Sequence, residues 1–356
     1  MTNELFALDL GNKQTKLQDK KGTYVAPSSL LNERELESFF SNGKLKDLDL
    51  YQISAEEEKY FWGKGVLRYT QDQLTDTLGF EGRYNRAEYK RLAALSLARL
   101  AKEYPQAKDG ILKVDVVAGL PTGDYTMENI KAVINTLKRQ YLVQVNNDPI
   151  NIRVENVEIL PQPIGTLYDL LLDENGYLKE NDIEDKRFAV ADIGGGTVLL
   201  DQIISEENGF RFDTSNRTQS EAGANELYTR IAQKLNTRYG INSDIHVIES
   251  SVRQGIKAQK FSYRQSSNNI IDMTEIVDTE IQYYSQRLVE MINSSFKNLS
   301  SVDELVLTGG GASIINQRLL EDQITNTKIR MTDNPEQANV HGFYKYGLSQ
   351  RLAKEE

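Results

Sequence analysis

At 356 residues the chain suits two domains of common size, each able to bury its own core. Charged residues make up 26% and hydrophobic ones 39%, and no apolar run approaches the roughly 20 residues needed to span a bilayer, so disordered and membrane classes are set aside. A formal net charge of −10 argues against wrapping nucleic acid by counterion release, and the absence of cysteine removes disulfides, thiolate zinc sites and cysteine nucleophiles.

Met1 to Leu8 has neither the basic start nor the long apolar stretch of a signal peptide, so a cytoplasmic location is expected. The next residues predict three short strands, Leu5 to Leu10, Thr15 to Gln18 and Thr23 to Ala26, turning at Gly11 with Asn12 and at Gly22. Residues 30–85 are polar and irregular and suggest an inserted subdomain. Phe39, Phe40, Phe61 and Trp62 are its candidate contact groups, or more simply its own small core.

From Tyr84 to Tyr104 the apolar positions Tyr89, Leu92, Leu95 and Leu100 approximate a helical period, with Pro105 beyond. A strand Val114 to Ala118 leads into Gly119, Leu120 and Pro121, and a helix Met127 to Arg139 and strands Tyr141 to Val145 and Ile150 to Ile159 follow. This is an α/β unit.

A second strand, glycine turn and strand open at "KRFAVADIGGGTVLLDQII", from Lys186. Matching Asp192 to Asp9 puts the two copies 183 residues apart (192 − 9), with Asp9, Gly11 and Thr15 set against Asp192, Gly194 and Thr197. A weak repeat of this length suggests duplicated lobes rather than a solenoid. Helices are expected near Ala222 to Arg238, Asp244 to Lys257 and Met273 to Lys297, then a strand Glu304 to Thr308, the triplet Gly309, Gly310 and Gly311, and a last helix over 336–353.

Glycine turns leave backbone N–H groups uncovered, able to cradle phosphate oxygens. Each of the two turns also follows an aspartate, and carboxylates that face a phosphate chain need a cation, for which Mg²⁺ is the usual solution. The triplet Gly309 to Gly311 is expected to open a helix N-terminus suited to an anion or a close-packed nucleotide, although a tight strand-to-helix turn explains it equally well. It lacks the Lys-Ser/Thr ending of a P-loop. In "ILPQPIGTLYDLLL", Pro161 and Pro163 are expected to hold the backbone extended around Gln162. A glutamine there can orient a water but cannot take up its proton. The two histidines, His246 and His341, are too few for a metal cluster.

In this order, "DLGNKQTK", "LPQPIGTLYDL", "DIGGGT" and "LTGGGAS" resemble the ATPase core shared by actin, bacterial filament proteins, heat-shock chaperones and sugar kinases. "VDVVAGLPTGDY" is similar to the ParM and StbA branch of plasmid-segregation filament proteins. The resemblance implies an α/β actin-like fold of two duplicated lobes around a nucleotide cleft, residues 1–162 with 333–356 and residues 163–332. It implies that Asp9 and Asp192 hold Mg²⁺ through water, that Gly11, Asn12, Gly194, Gly195, Gly196 and Thr197 line the phosphates, and that Lys16 reaches toward the β- and γ-phosphates. Gln162 would position the attacking water, and Gly309, Gly310 and Gly311 would lie beside the adenosine, with contacts from helices carrying Glu226, Arg230 or Lys257. Lys13 and Gln162 depart from residue types common elsewhere in the family, and Gln162 implies slow hydrolysis.

The implied function is a slow ATPase, with GTP as the alternative nucleotide, that polymerises into dynamic filaments and segregates plasmid DNA. The partners implied are other copies of the chain and a small DNA-binding adaptor of the ParR type, with centromere-like plasmid DNA engaged only indirectly and no membrane. The alternatives are a filament for cell shape or division and a non-polymerising kinase or chaperone-type ATPase.

Overall fold

The computed structural model describes residues 2–36, 46–69, 73–77, 82–179, 183–207, 209–296 and 299–355. Two compact units divide the chain: Met1–Lys179 with Asn339–Glu356, and Glu180–Ala338.

Among the described residues the first unit carries a sheet of ten strands. In chain order these are β1 (Glu4–Leu10), β2 (Gln14–Asp19), β3 (Gly22–Pro27), β4 (Ser29–Asn32), β5 (Asp49–Ile53), β6 (Lys59–Trp62), β7 (Leu74–Asp76), β8 (Leu112–Leu120), β9 (Gln140–Val145) and β10 (Asp148–Pro161). Their spatial order is β3-β2-β1-β8-β10-β9-β5-β6-β4-β7, with β1, β8 and β10 parallel at the centre and the β1-β2-β3 meander antiparallel beside them. Such a centre is covered on both faces and reads as apolar runs; β1 is buried from Leu5 to Leu10. Helices α1 (Ala87–Ala101), α2 (Pro105–Asp109), α3 (Met127–Leu137) and α4 (Gln162–Leu171) complete the run.

Residues expected to form an inserted subdomain extend this sheet instead. β5 pairs with β9, and Tyr51, Tyr60 and Trp62 are buried in the same core as Phe6, Leu8 and Leu92. Trp62 is fully buried and donates its indole N–H to the Pro27 carbonyl at 2.8 Å, so it is no contact group; Phe61 is half-buried. Phe39 and Phe40 lie outside the described residues.

The C-terminal helix Ala338–Glu355 packs on the first unit. Phe343 and Val340 are buried with Leu5, Ala7 and Val117. Gly119 and Gly165 make room for the Phe343 ring, and a Cβ at Gly342 would lie 1.7 Å from the Gly165 carbonyl oxygen. The close approach of Gly165 to Gly342 keeps α4 with the first unit, and the division falls after residue 179 rather than after 162.

The second unit has strands β11 (Arg187–Ile193), β12 (Val198–Glu206), β13 (Gly209–Ser220), the hairpin β14 (Ser262–Arg264) and β15 (Ile270–Asp272), then β16 (Glu304–Thr308) and β17 (Lys328–Met331). Its main sheet runs β13-β12-β11-β16-β17, an antiparallel meander followed by two parallel neighbours, as in β3-β2-β1-β8-β10. Helices α5 (Ala224–Tyr239), α6 (Ile245–Gly255), α7 (Thr274–Ser295) and α8 (Gln317–Gln323) cover it, and the C-terminal helix is α9.

Register confirms the repeat and corrects one detail. Asp9 pairs with Lys16 and Leu10 with Thr15; Asp192 pairs with Leu199 and Ile193 with Val198. The 183-residue offset (192 − 9) therefore holds through both turns, and Thr197 corresponds to Gln14 rather than to Thr15.

Candidate functional site

In the first unit, β1 carries Asp9 to within one residue of the turn at Gly11. Asp9 is 1% exposed, and both its oxygens have protein donors. Lys16 Nζ, opposite on β2, lies 3.1 Å from Oδ2, and Gln162 Nε2 donates to Oδ1 at 2.9 Å. Lys16 is thus held on Asp9.

Gln162 is not extended between its prolines. Pro161 is the N-cap of α4, and Gln162 and Pro163 occupy its first turn, where a proline's missing N–H costs no helical hydrogen bond. A carboxylate only accepts, so Asp9 fixes the amide with Nε2 inward and leaves Oε1 directed elsewhere.

The turn itself is braced from behind. Ser28 Oγ donates to the Gly11 carbonyl at 2.7 Å and meets Thr15 Oγ1 at 2.9 Å, and the Ser28 amide donates to the Lys13 carbonyl at 2.9 Å. Arg83 Nη2 donates to the carbonyls of Leu10 at 2.6 Å and Gly11 at 3.1 Å. Asn12 and Lys13 are exposed at the tip. Neither Ser28 nor Arg83 stands in a recognisable motif, so sequence reasoning missed them.

In the second unit the equivalent turn is braced by a helix. The amides of Gly223, Ala224 and Asn225 donate to the carbonyls of Gly196, Gly194 and Gly195 at 3.3, 3.0 and 2.8 Å. The first-turn amides of α5, which have no partner inside the helix, are thereby satisfied. A trans peptide sets its C=O and N–H on opposite sides. Holding those three carbonyls on α5 directs the amides of Gly195, Gly196 and Thr197 away from it, as a cradle for an anion requires.

Asp192 is half-buried at the end of β11, and a Cβ at Gly309 would lie 2.3 Å from its Oδ1. Gly309 has φ +85°, and its amide donates to the Pro335 carbonyl at 2.8 Å. Gly311 presses on Ile193, where a Cβ would meet Cγ2 at 2.4 Å. The triplet is followed by a single 3₁₀ turn, Ala312–Ile314, and α8 starts only at Gln317. The expected helix N-terminus at the glycines is therefore absent, because Gly309 and Gly311 are spent on close approach to β11.

Glu226 and Arg230 face α7, Glu226 paired with Arg287, and Arg230 with Glu280 at 2.6 Å. Arg253 of α6 lies beside Gly310 instead, 3.5 Å from its carbonyl, 3.0 Å from Glu249 and 3.6 Å from Glu336. Lys257 is exposed beyond the end of α6. Among the described residues no group of three or more His, Cys, Asp or Glu could hold a metal ion by itself. No described helix is long and apolar enough to cross a membrane.

Known proteins share this fold. The model of the actin-like proteins' N-terminal domain matches residues 7–165, and that of the Alp7A C-terminal domain matches residues 187–344. No curated protein sequence matches the chain. Among solved structures, the apo psk41 ParM protein is similar at 22% identity over 100% of both chains, with a TM-score of 0.78. The archaeal actin homolog Ta0583 in complex with ADP is 15% identical over 99% of this chain and 100% of that one, with a TM-score of 0.76. A subunit of the 15-stranded ParM filament from Clostridium botulinum is 20% identical over 98% and 99%, with a TM-score of 0.70. Matched along both halves by actin-like models, and in fold by actin-like structures over nearly all its length, the chain belongs to the actin-like proteins.

Proposed function

We propose that the chain is a slow actin-like ATPase that assembles into filaments with bound nucleotide and moves plasmid DNA through a small DNA-binding adaptor. The observation that carries this reading is the pair of glycine turns, repeated in register at Gly11 and Gly194, each following an aspartate at a strand end and each with its carbonyls tied back. That arrangement offers amides to phosphate oxygens without side chains in the way.

In this reading Gly11, Asn12, Gly194, Gly195, Gly196 and Thr197 line the phosphates, and Gly309, Gly310 and Gly311 flank the adenosine with Arg253. Lys16 exchanges Asp9 for phosphate oxygens. Carboxylate oxygens suit Mg²⁺, which keeps several of its waters, so Asp9 and Asp192 would hold it through water. Bound there, the ion would neutralise phosphate charge. Gln162, its Nε2 on Asp9, accepts a hydrogen bond from the attacking water through Oε1 and takes up no proton, which makes hydrolysis slow. Slow turnover suits a timer, since a filament grows before its subunits hydrolyse. The net charge of −10 fits a basic adaptor better than direct DNA contact.

Light scattering and electron microscopy after addition of ATP or GTP with Mg²⁺ test the reading. Filaments that need nucleotide are expected. Their absence across protein and salt concentrations, with nucleotide bound, would favour a non-polymerising kinase-type ATPase. Co-sedimentation with a small basic protein encoded beside the gene tests the adaptor.

A further inference from the structure

We infer that Arg83 is a positioning residue for phosphate binding: its guanidinium sets the Gly11 turn from behind, doing for the first unit what the start of α5 does for the second. The inference rests on the nucleotide reading above. The two turns have the same length and register, and a Cβ at Gly11 would meet the Gln14 carbonyl oxygen at 2.7 Å much as one at Gly194 would meet that of Thr197 at 3.0 Å. Their supports differ in kind. β13 leads into α5, whose amides take the carbonyls of Gly194, Gly195 and Gly196. β3 leads instead into β4, and among the described residues no helix amide donates to the Gly11 carbonyl.

Arg83 supplies what is missing. It is 5% exposed, and one nitrogen, Nη2, reaches two successive carbonyls, those of Leu10 and Gly11. Its guanidinium carbon lies 5.8 and 5.3 Å from the ring centroids of Tyr84 and Tyr89, which limit its movement. Ser28 Oγ shares the Gly11 carbonyl. Because C=O and N–H lie on opposite sides of a trans peptide, fixing the Gly11 carbonyl aims the Asn12 amide away from Arg83, toward where a phosphate oxygen is held. The buried positive charge behind the turn also favours an anion in front of it, as the positive end of α5 does at Gly194. Lysine has the charge but not the planar, delocalised group, so it replaces arginine here only in part.

Titrating ATP and adenosine against the wild type, R83K, R83M and S28A, with thermal melting of each, tests this. R83M should lose ATP affinity by about tenfold or more, the size of one charge-assisted hydrogen bond. R83K and S28A should lose less, and adenosine affinity should change by less than about twofold in all three, since adenosine makes no use of the turn. A folded R83M or S28A that binds ATP as the wild type does, or that loses ATP and adenosine affinity equally, overturns the inference. S28A decides it if R83M does not fold. A wild type that binds no nucleotide overturns the nucleotide reading, and the inference falls with it.

Discussion

Gln162 reaches across 153 residues of chain to donate its side-chain amide to Asp9 at 2.9 Å, joining the start of α4 to the end of β1. The bond ties the residue assigned to the water to one of the two aspartates assigned to the metal, so the metal role is better tested at the other, Asp192. Gln162→Ala should leave nucleotide-dependent assembly intact and lengthen filament lifetime, whereas Asp192→Ala should abolish assembly. Equal loss in both, measured by light scattering, would sink this division of roles.

Gln162→Glu is expected to be worse than Gln162→Ala. It removes the amide that donates to Asp9 and sets a second carboxylate against that nearly buried residue, so like charges meet where a hydrogen bond stood. Gln162→Glu should therefore melt below Gln162→Ala at neutral pH, and equal melting of the two rejects this.

Gly309 and Gly196 make a contrasting pair. An alanine at Gly309 meets the Asp192 carboxylate at 2.3 Å in a left-handed backbone, so Gly309→Ala should lose about 2 kcal/mol or more of stability, read by denaturant melts. A Cβ at Gly196 meets nothing within 4 Å. Gly196→Ala should melt within about 1 kcal/mol of wild type, yet weaken ATP binding by crowding the cradle. If Gly196→Ala binds ATP normally, phosphate does not lie on that turn.

At Gly342, α9 passes α4 so closely that even a methyl group has no room. Gly342→Ala should destabilise the first unit by about 3 kcal/mol or more, as overpacking against backbone cannot relax by a rotamer change. Normal thermal melting of this variant would contradict the packing described.

His341 gives the fold a pH dependence. Burial lowers its pKa; Asp169, 3.9 Å away, and Glu174 raise it, and Lys345 lowers it further. Thr23 Oγ1 meets Nε2 at 3.2 Å from β3. Because the folded value lies below the unfolded one of about 6.5, the neutral ring contributes stability above that pH and loses it as pH falls through the folded pKa. Wild type should lose more stability than His341→Asn between about pH 7 and pH 5. Parallel melting curves for the two would exclude His341 as the source.

The sequence by itself determined the elements whose causes are local. The strands flanking Gly11 and Gly194, the 183-residue repeat (192 − 9), the strand ahead of Gly309 and the helical periods all follow from apolar spacing and glycine placement. Tertiary structure alone decided what lies beside those elements. In the polar stretch over 30–85, Asp49–Ile53 joined the sheet because β9 offered β5 an edge to pair with. Arg83 reached Leu10 across 73 residues, Arg253 rather than Arg230 came beside Gly310, and Gly309 and Gly311 were spent against β11 instead of opening a helix. Periodicity reports which face of an element is buried, but the partner that buries it comes from distant chain, and a lone arginine or serine leaves no periodic mark.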